Sequence, residues 1–491
     1  MNAPSLIHDS AVPRWDDSVD VLVLGFGCAG GSAAIEARRS GARVMIVERS
    51  SAPGGSSALS GGVIYCGGGT AIQRACGFDD SVEAMRAYLM ASTGGRPNAE
   101  KIDLYCRDSV AHFDWLVSLG IPFKASYWPH NYEPTTDDCL YYSGSEECAP
   151  FNHIASPAPR GHTVQAEGSC MGGRVMMDTL VAVALREGVE VLTDANCIAL
   201  IADEGGSIVG AAVRHDGETR HIRARGGVVI ATGGFIMNRE MVARVAPAAS
   251  LTAPLGNPFD NGSGILLGEA AGGATANMHA AIYSCPVLNP PGLIRGILLN
   301  EHGQRFIPED VNHKRIGEHA VLRQDGRIFL LVDSEVFEQP AGTRPIVATG
   351  NTTEELEDEL GWPRGSIGAT LDVYNRHAQG GHDPLFGKKA KFVKPLTAPP
   401  YAVFDCGIEA TGVYYSFTLG GLSTAPTGEV LTPEGRVIPG LYAIGRATTG
   451  LSAQSGGSSG LQLAEGTYFG RLAGQAAAAA LQLRPAPHIP A

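Results

Sequence analysis

Gly25-Phe26-Gly27-Cys28-Ala29-Gly30 and, about 20 residues further on, Glu48 are residue types at a spacing that can hold a dinucleotide. The first glycine permits a tight turn from strand to helix, the second lets the backbone approach a pyrophosphate, and the third lets helix and strand pack closely. A helix that opens there aims its unsatisfied N–H groups at the phosphates. The Glu48 carboxylate can accept hydrogen bonds from ribose hydroxyls and would repel a 2′-phosphate. Residues 53–62, Pro-Gly-Gly-Ser-Ser-Ala-Leu-Ser-Gly-Gly, then supply small side chains and hydroxyls where a nicotinamide-type domain would place its third strand.

These residues need a βαβ unit to position them. The apolar run at 21–24 predicts the strand before the glycines, and that at 44–47 the strand before Glu48. Val82, Met85, Tyr88 and Leu89, then Val110, Phe113, Leu116 and Leu119, have helical spacing up to Gly120. Residues 121–170, rich in Tyr, Trp and Pro, read as a long irregular stretch, either a cleft wall or a packed surface loop. A helix is predicted over 175–187, and short strands over 189–192, 198–201, 208–213 and 219–224. They lead into a further buried strand at 227–234, whose small end residues Ala231, Thr232 and Gly233 admit a ligand. Asp260 and Asn261 offer caps for a helix that follows. From 278 to 398 charge and proline rise, which reads as an inserted domain; a buried strand at 440–446 and a helix over 459–483 return to the earlier style.

A length of 491 residues favours two domains. The net charge of −13 without a basic run argues against nucleic acid and anionic membrane surfaces, leaving a small molecule as the expected partner. Ten cysteines form no CxxC and no CxxCH, so no metal, cluster or haem is expected, and scattered thiols suit a reducing cytosol. Residues 1–18 carry Asp9, Arg14, Asp16 and Asp17 rather than a signal-peptide core, and no apolar run reaches the ~20 residues of a membrane span. The expectation is a cytoplasmic protein whose residues 1–18 and tail from about 484 are poorly ordered.

The glycine turn with Glu48, Gly61-Gly62-Val63-Ile64-Tyr65-Cys66-Gly67-Gly68-Gly69-Thr70, Ala158-Pro159-Arg160-Gly161-His162, Arg295-Gly296-Ile297-Leu298, Gln304-Arg305-Phe306-Ile307-Pro308-Glu309-Asp310 and Phe417-Thr418-Leu419-Gly420-Gly421-Leu422 carry a family resemblance. The chain resembles the fumarate reductase and 3-ketosteroid dehydrogenase flavoproteins, most closely the 3-ketosteroid Δ4-(5α)-dehydrogenases. The resemblance implies an α/β fold. A Rossmann-like, GR2-type FAD-binding domain is expected over 19–277 and 399–483, with an inserted α+β catalytic or capping domain at 278–398 and a noncovalent FAD. Gly25, Gly27, Ala29, Gly30, Glu48, Arg49, Gly55, Ser56, Ser57, Gly61, Gly62, Ala231, Thr232, Gly233, Gly445, Ser459, Gly460 and Leu461 are the residues expected to bind it.

The chemistry so implied takes a proton from the carbon beside a ring ketone and passes a hydride from the next carbon to flavin N5. Two tyrosines of the steroid enzymes align with Asn312 and Gly457, while a neighbouring serine is kept as Ser459. Tyr415, after Tyr414, could replace a phenol, and His313, Lys314 and Arg315 form a cationic cluster suited to a substrate carboxylate. The same basic residues could equally pair with Glu309 or Asp310. Tyr415, Ser459, His313, Asn312 and Arg315 are therefore the catalytic candidates, with Tyr65, Tyr127, Trp128, Tyr141 and Tyr142 as cleft-lining candidates. The expected substrate is a cyclic ketone, either a small one such as 4-oxocyclohexanecarboxylate or a 3-ketosteroid, with oxygen, a quinone or a flavoprotein as electron acceptor. The alternative is the reverse chemistry, a fumarate-reductase-like enoate reductase.

Overall fold

A computed structural model describes residues 5–167, 171–340, 342, 344–412 and 414–482. Its frame is a nine-stranded sheet. Val437–Ala443, the C-terminal half of Glu218–Ile230, Asp17–Leu24, Val44–Val47 and Glu190–Leu192 run parallel in that order. Their buried residues are mostly Val, Ile and Leu, as expected of strands covered on both faces.

The expected strands at 219–224 and 227–234 are one strand of 13 residues, Glu218–Ile230. Its first half pairs antiparallel with Ile208–His215, its second half parallel with Asp17–Leu24, and the register shifts between Ala224 and Gly227. Gly227 at φ +142° sits where a Cβ would lie 2.6 Å from the Gly440 carbonyl, so only glycine lets the strand change partners there. Ser5–His8 adds a parallel strand beside Asn196–Ala202, contrary to the disorder expected of residues 1–18. The tail from 483 and Cys170 lie outside the described residues.

Cys28–Arg39 packs along the final helix, Leu461–Ala479, which begins two residues later than expected. The approach is close because the final helix presents glycines: a Cβ at Gly470 would meet the Ala29 carbonyl at 2.5 Å, and one at Gly474 would strike that of Ala33. The helical stretch at 81–120 is two helices, Val82–Ser92 and Ala99–Ser118, capped by Ser81 and Asn98. Ser263–Ala270 takes Gly262 in the left-handed region as its N-cap residue, while Asn261 Oδ1 accepts the Ser263 N–H (3.1 Å) at the helix start and Asp260 takes no part.

The inserted unit is a four-stranded antiparallel sheet, Ile297–Asn300, Ile328–Val332, Tyr401–Asp405 and Ile346–Gly350 in that order, accompanied by the helices His313–Arg323, Thr353–Leu360 and Ser366–Ala378. Tyr401–Asp405 lies inside this sheet, between two other strands, so we propose to carry the unit past the expected boundary at 398. Its entry strand, Ala281–Ser284, pairs with its exit strand, Tyr415–Thr418, which ties both crossings together beside the main sheet. Among the described residues no helix is long and apolar enough to cross a membrane.

Candidate active site

A cavity of about 530 Å³ runs from the glycine turn to the inserted unit. At its first end Gly25, φ +103°, leaves no room for a side chain, since a Cβ would lie 2.6 Å from the Ala231 carbonyl. Gly30 is the packing glycine: its Cβ would strike the Gly25 carbonyl, and it does not itself reach the wall. Ser57 Oγ accepts the Cys28 N–H (3.1 Å), fixing the loop against the helix start. The Glu48 carboxylate accepts the N–H groups of Phe26 (2.7 Å) and Ser50 (2.8 Å), one on each oxygen, which leaves each a lone pair for a hydroxyl.

Asp260 joins the two parts of the chain at this cavity. It accepts from Ser56 Oγ (2.5 Å) and from Arg446 Nη2 (2.5 Å). Thr232 Oγ1 and Arg446 Nη1 are buried without a hydrogen-bond partner, and both residues belong to the wall. Buried orphans of this kind call for a polar ligand. Together with the glycine turn and the Glu48 carboxylate they fit the pyrophosphate and ribose of FAD.

The other end is held together by one carbonyl. Ser143 O accepts both the Ser459 N–H (2.8 Å) and Asn312 Nδ2 (2.9 Å), while Ser143 Oγ donates back to Ser459 O (3.0 Å). The start of the final helix and the N-terminus of His313–Arg323 are thereby clamped side by side. Gly460, φ +91°, caps the final helix where a Cβ would lie 2.8 Å from the Val63 carbonyl. The positive end of that helix faces the cavity through Ser459 and Gly460.

Asn312 is spent on structure: besides the Ser143 bond, its Oδ1 accepts the Lys314 N–H (3.0 Å) as an N-cap. His313 and Lys314 then stand on the cavity wall. Burial pushes the His313 imidazole down to about 3, helped by Lys314, so it is neutral at pH 7. Burial also lowers the Lys314 ammonium to about 8 against the pull of Glu133. Glu133, across the same wall, is raised by burial and lowered by Lys314.

Arg315 turns away from the cavity. Its guanidinium lies 5.1 Å from the centre of the Phe151 ring and contacts Ser455 Oγ (3.5 Å) and Glu318 (3.9 Å). Glu309 pairs with Arg305 (2.6 Å) and Lys388 (3.0 Å), and Asp310 receives the Lys389 N–H, so neither takes up His313 or Arg315. Tyr415 is 38% exposed at the head of its strand, on the same face as the wall residue Phe417 but outside the wall itself. Tyr414 is buried and donates to Cys406 O (2.8 Å). Tyr65, Tyr127, Trp128, Tyr141 and Tyr142 do not line the cavity. Tyr127 and Tyr142 pack with Phe78, Trp128 with Tyr132, and Tyr65 and Tyr141 are buried.

Of the residues expected to bind the cofactor, all but Gly30 and Leu461 stand on this wall, including Ala29, Arg49, Gly55, Gly61, Gly62, Gly233 and Gly445. Asp260, Arg446 and Glu133 join them without having been singled out. Asp260 had looked like a helix cap, and Arg446 could have been suspected from following Gly445. Glu133 gave no signal in an irregular loop; Asn131 fixes that loop by donating to Asp310 O (3.1 Å).

The model of the FAD binding domain family matches residues 20–461. A 3-oxo-5-alpha-steroid 4-dehydrogenase of Comamonas testosteroni is 29% identical over 88% of this chain and 93% of that protein. A 4-oxocyclohexanecarboxylate 2-dehydrogenase of Sinomonas cyclohexanicum is 27% identical over 93% and 92%. Among solved structures, the 3-ketosteroid-Δ4-(5α)-dehydrogenase of Rhodococcus jostii RHA1 in complex with 4-androstene-3,17-dione superposes with a TM-score of 0.92 at 42% identity, covering 96% of this chain and 99% of that one.

Proposed function

We propose that this chain, which belongs to the FAD binding domain family and is an FAD-dependent oxidoreductase acting on CH–CH groups, introduces a double bond beside the ketone of a cyclic keto acid. The observation that carries the acid is Lys314, the amine of the basic cluster that stands on the cavity wall while Arg315 turns away. A six-membered oxo acid such as 4-oxocyclohexanecarboxylate fits this reading, and one relative bears the name of that activity.

In this reading the Lys314 ammonium holds the substrate carboxylate. The Ser459 hydroxyl and the positive end of the final helix face the ketone oxygen and stabilise the charge that develops there as the neighbouring carbon loses its proton. Bound FAD supplies the two-electron acceptor for the hydrogen that leaves the next carbon. Oxygen, a quinone or a flavoprotein would then reoxidise it.

A second reading, oxidation of a 3-ketosteroid, is favoured by the 42% identity to the Rhodococcus enzyme. The reductive direction needs an arginine poised over the substrate, and Arg315, the arginine of the basic cluster, is engaged with Phe151, Ser455 and Glu318. Lys314→Met separates the first two. It should raise KM for 4-oxocyclohexanecarboxylate about tenfold or more and leave KM for a neutral 5α-3-ketosteroid unchanged, as expected for loss of a charge-assisted contact. Equal KM values for the oxo acid in variant and parent would overturn the carboxylate assignment.

A further inference from the structure

The reaction needs a proton acceptor, and the positions that the family resemblance matches to tyrosines of the steroid enzymes hold Asn312 and Gly457. Neither can serve: Asn312 is committed to capping and to Ser143, and glycine carries no base. Among the described residues three carboxylates stand on the cavity wall, Glu48, Glu133 and Asp260. Glu48 is held by two backbone N–H groups and Asp260 by Ser56 and Arg446.

Glu133 differs from both. Its Oε1 is buried without a hydrogen-bond partner, and the carboxylate presses so closely on Gly61 that a side chain there would strike it. Gly61 leads into Val63–Tyr65, whose Tyr65 N–H donates to Gly460 O (3.2 Å), so Glu133 shares a wall with Ser459 and Gly460. Lys314 and His313 are the titratable groups facing it from the inserted unit. Asn131 ties the Glu133 loop to Asp310, just ahead of that helix.

Resting on the ketone-dehydrogenase reading above, we infer that Glu133 is the proton acceptor of the reaction. The bond from hydrogen to the carbon beside the ketone breaks, an O–H bond forms on the Glu133 carboxylate, and the electron pair moves into the new C=C bond. The hydrogen on the next carbon leaves with its own electron pair to FAD, so the ketone is oxidised by two electrons and FAD is reduced. Burial makes the Glu133 carboxylate a stronger base than an exposed one, while the charge of Lys314 works the other way and favours its ionised form.

The test is anaerobic reduction of the FAD-loaded protein by 4-oxocyclohexanecarboxylate and by a 5α-3-ketosteroid in the parent, Glu133→Gln, Glu133→Asp and Lys314→Met proteins. FAD content and binding of the product enone are measured on the same samples. Glu133→Gln should slow reduction by about 100-fold or more, with FAD content and enone binding retained, and should abolish the acid limb of the pH profile. Lys314→Met should move that limb to higher pH, because the cation that favours the Glu133 carboxylate is gone; a merely structural glutamate would not show this. If Glu133→Gln loses FAD, the Glu133→Asp protein decides: partial activity with a displaced acid limb supports the base, and an unmoved limb overturns it. Reduction of Glu133→Gln at the parent rate also overturns the assignment while leaving the dehydrogenase reading standing. A parent protein reduced by neither ketone overturns both.

Discussion

Lys314 gives the site a pH signature with a definite sign. An amine lowered to about 8 is charged below that value and loses its charge as pH rises through it. KM for a keto acid should therefore climb above pH 8 in steady-state assays while KM for a neutral ketone stays flat; a flat profile for both would remove Lys314 from substrate binding. Ser459→Ala should lower the reduction rate by about 10- to 1,000-fold, the range for removing one donor to a developing oxyanion, with FAD content unchanged. An unaltered rate would leave the helix terminus alone to stabilise the oxygen. The glycines and Glu48 could be singled out from the sequence because their spacing is local, and all but Gly30 of the expected glycines stand on the cavity wall. Glu133 could not be, since its meaning comes from Gly61 and Lys314, which lie far from it in the chain.

At the scale of elements, the helix pair and the N-cap carry the geometry. Gly474→Val would drive a side chain into the Ala33 carbonyl, and overpacking of this kind costs about 1–3 kcal/mol. Thermal unfolding should fall accordingly and FAD should be held less tightly; an unchanged melting temperature would mean that the two helices can part without cost. Asn312→Ala removes the N-cap and the bond to Ser143, so a loss of about 1 kcal/mol should come with a slower reaction, because both Lys314 and Ser459 are placed through it. The helices and strands that hydrophobic periodicity named lie within about four residues of where the structure has them. Periodicity could not show that Glu218–Ile230 is one strand with two sets of partners, since an apolar run carries no record of which neighbour it meets. The aromatic loop answers to both of its readings, since its Tyr and Trp side chains pack with other aromatic side chains while Glu133 of the same stretch stands on the cavity wall.

At the scale of the whole molecule, the paired strands Ala281–Ser284 and Tyr415–Thr418 lie at the two ends of the stretch that carries the four-stranded sheet, and their Ser284 and Phe417 stand on the cavity wall. The inserted unit has its own buried charge cluster of Glu309 with Arg305 and Lys388, and of Arg305 with Asp383. Burial works against the Glu309 carboxylate, but Arg305 and Lys388 outweigh it and hold the group at about 2. Its stabilising effect is present above the unfolded value near 4.5 and is lost as pH falls toward 2. Glu309→Gln leaves two buried cations under-compensated, and breaking such a cluster costs about 3–5 kcal/mol. Denaturant unfolding at pH 7 should register that loss, and an unchanged midpoint would show the cluster to be dispensable. The order of motifs along the chain implied the flavoprotein fold, whereas composition could not show that Tyr401–Asp405 pairs inside the four-stranded sheet, because it looks like any buried strand until its partners are known.

The most direct measurement is anaerobic bleaching of the FAD-loaded protein by 4-oxocyclohexanecarboxylate, with a 5α-3-ketosteroid alongside. The expected result is rapid bleaching by the oxo acid that weakens when Lys314 is replaced by Met. Bleaching by the steroid alone, or by neither ketone, would contradict the assignment of this chain as a cyclic keto-acid dehydrogenase.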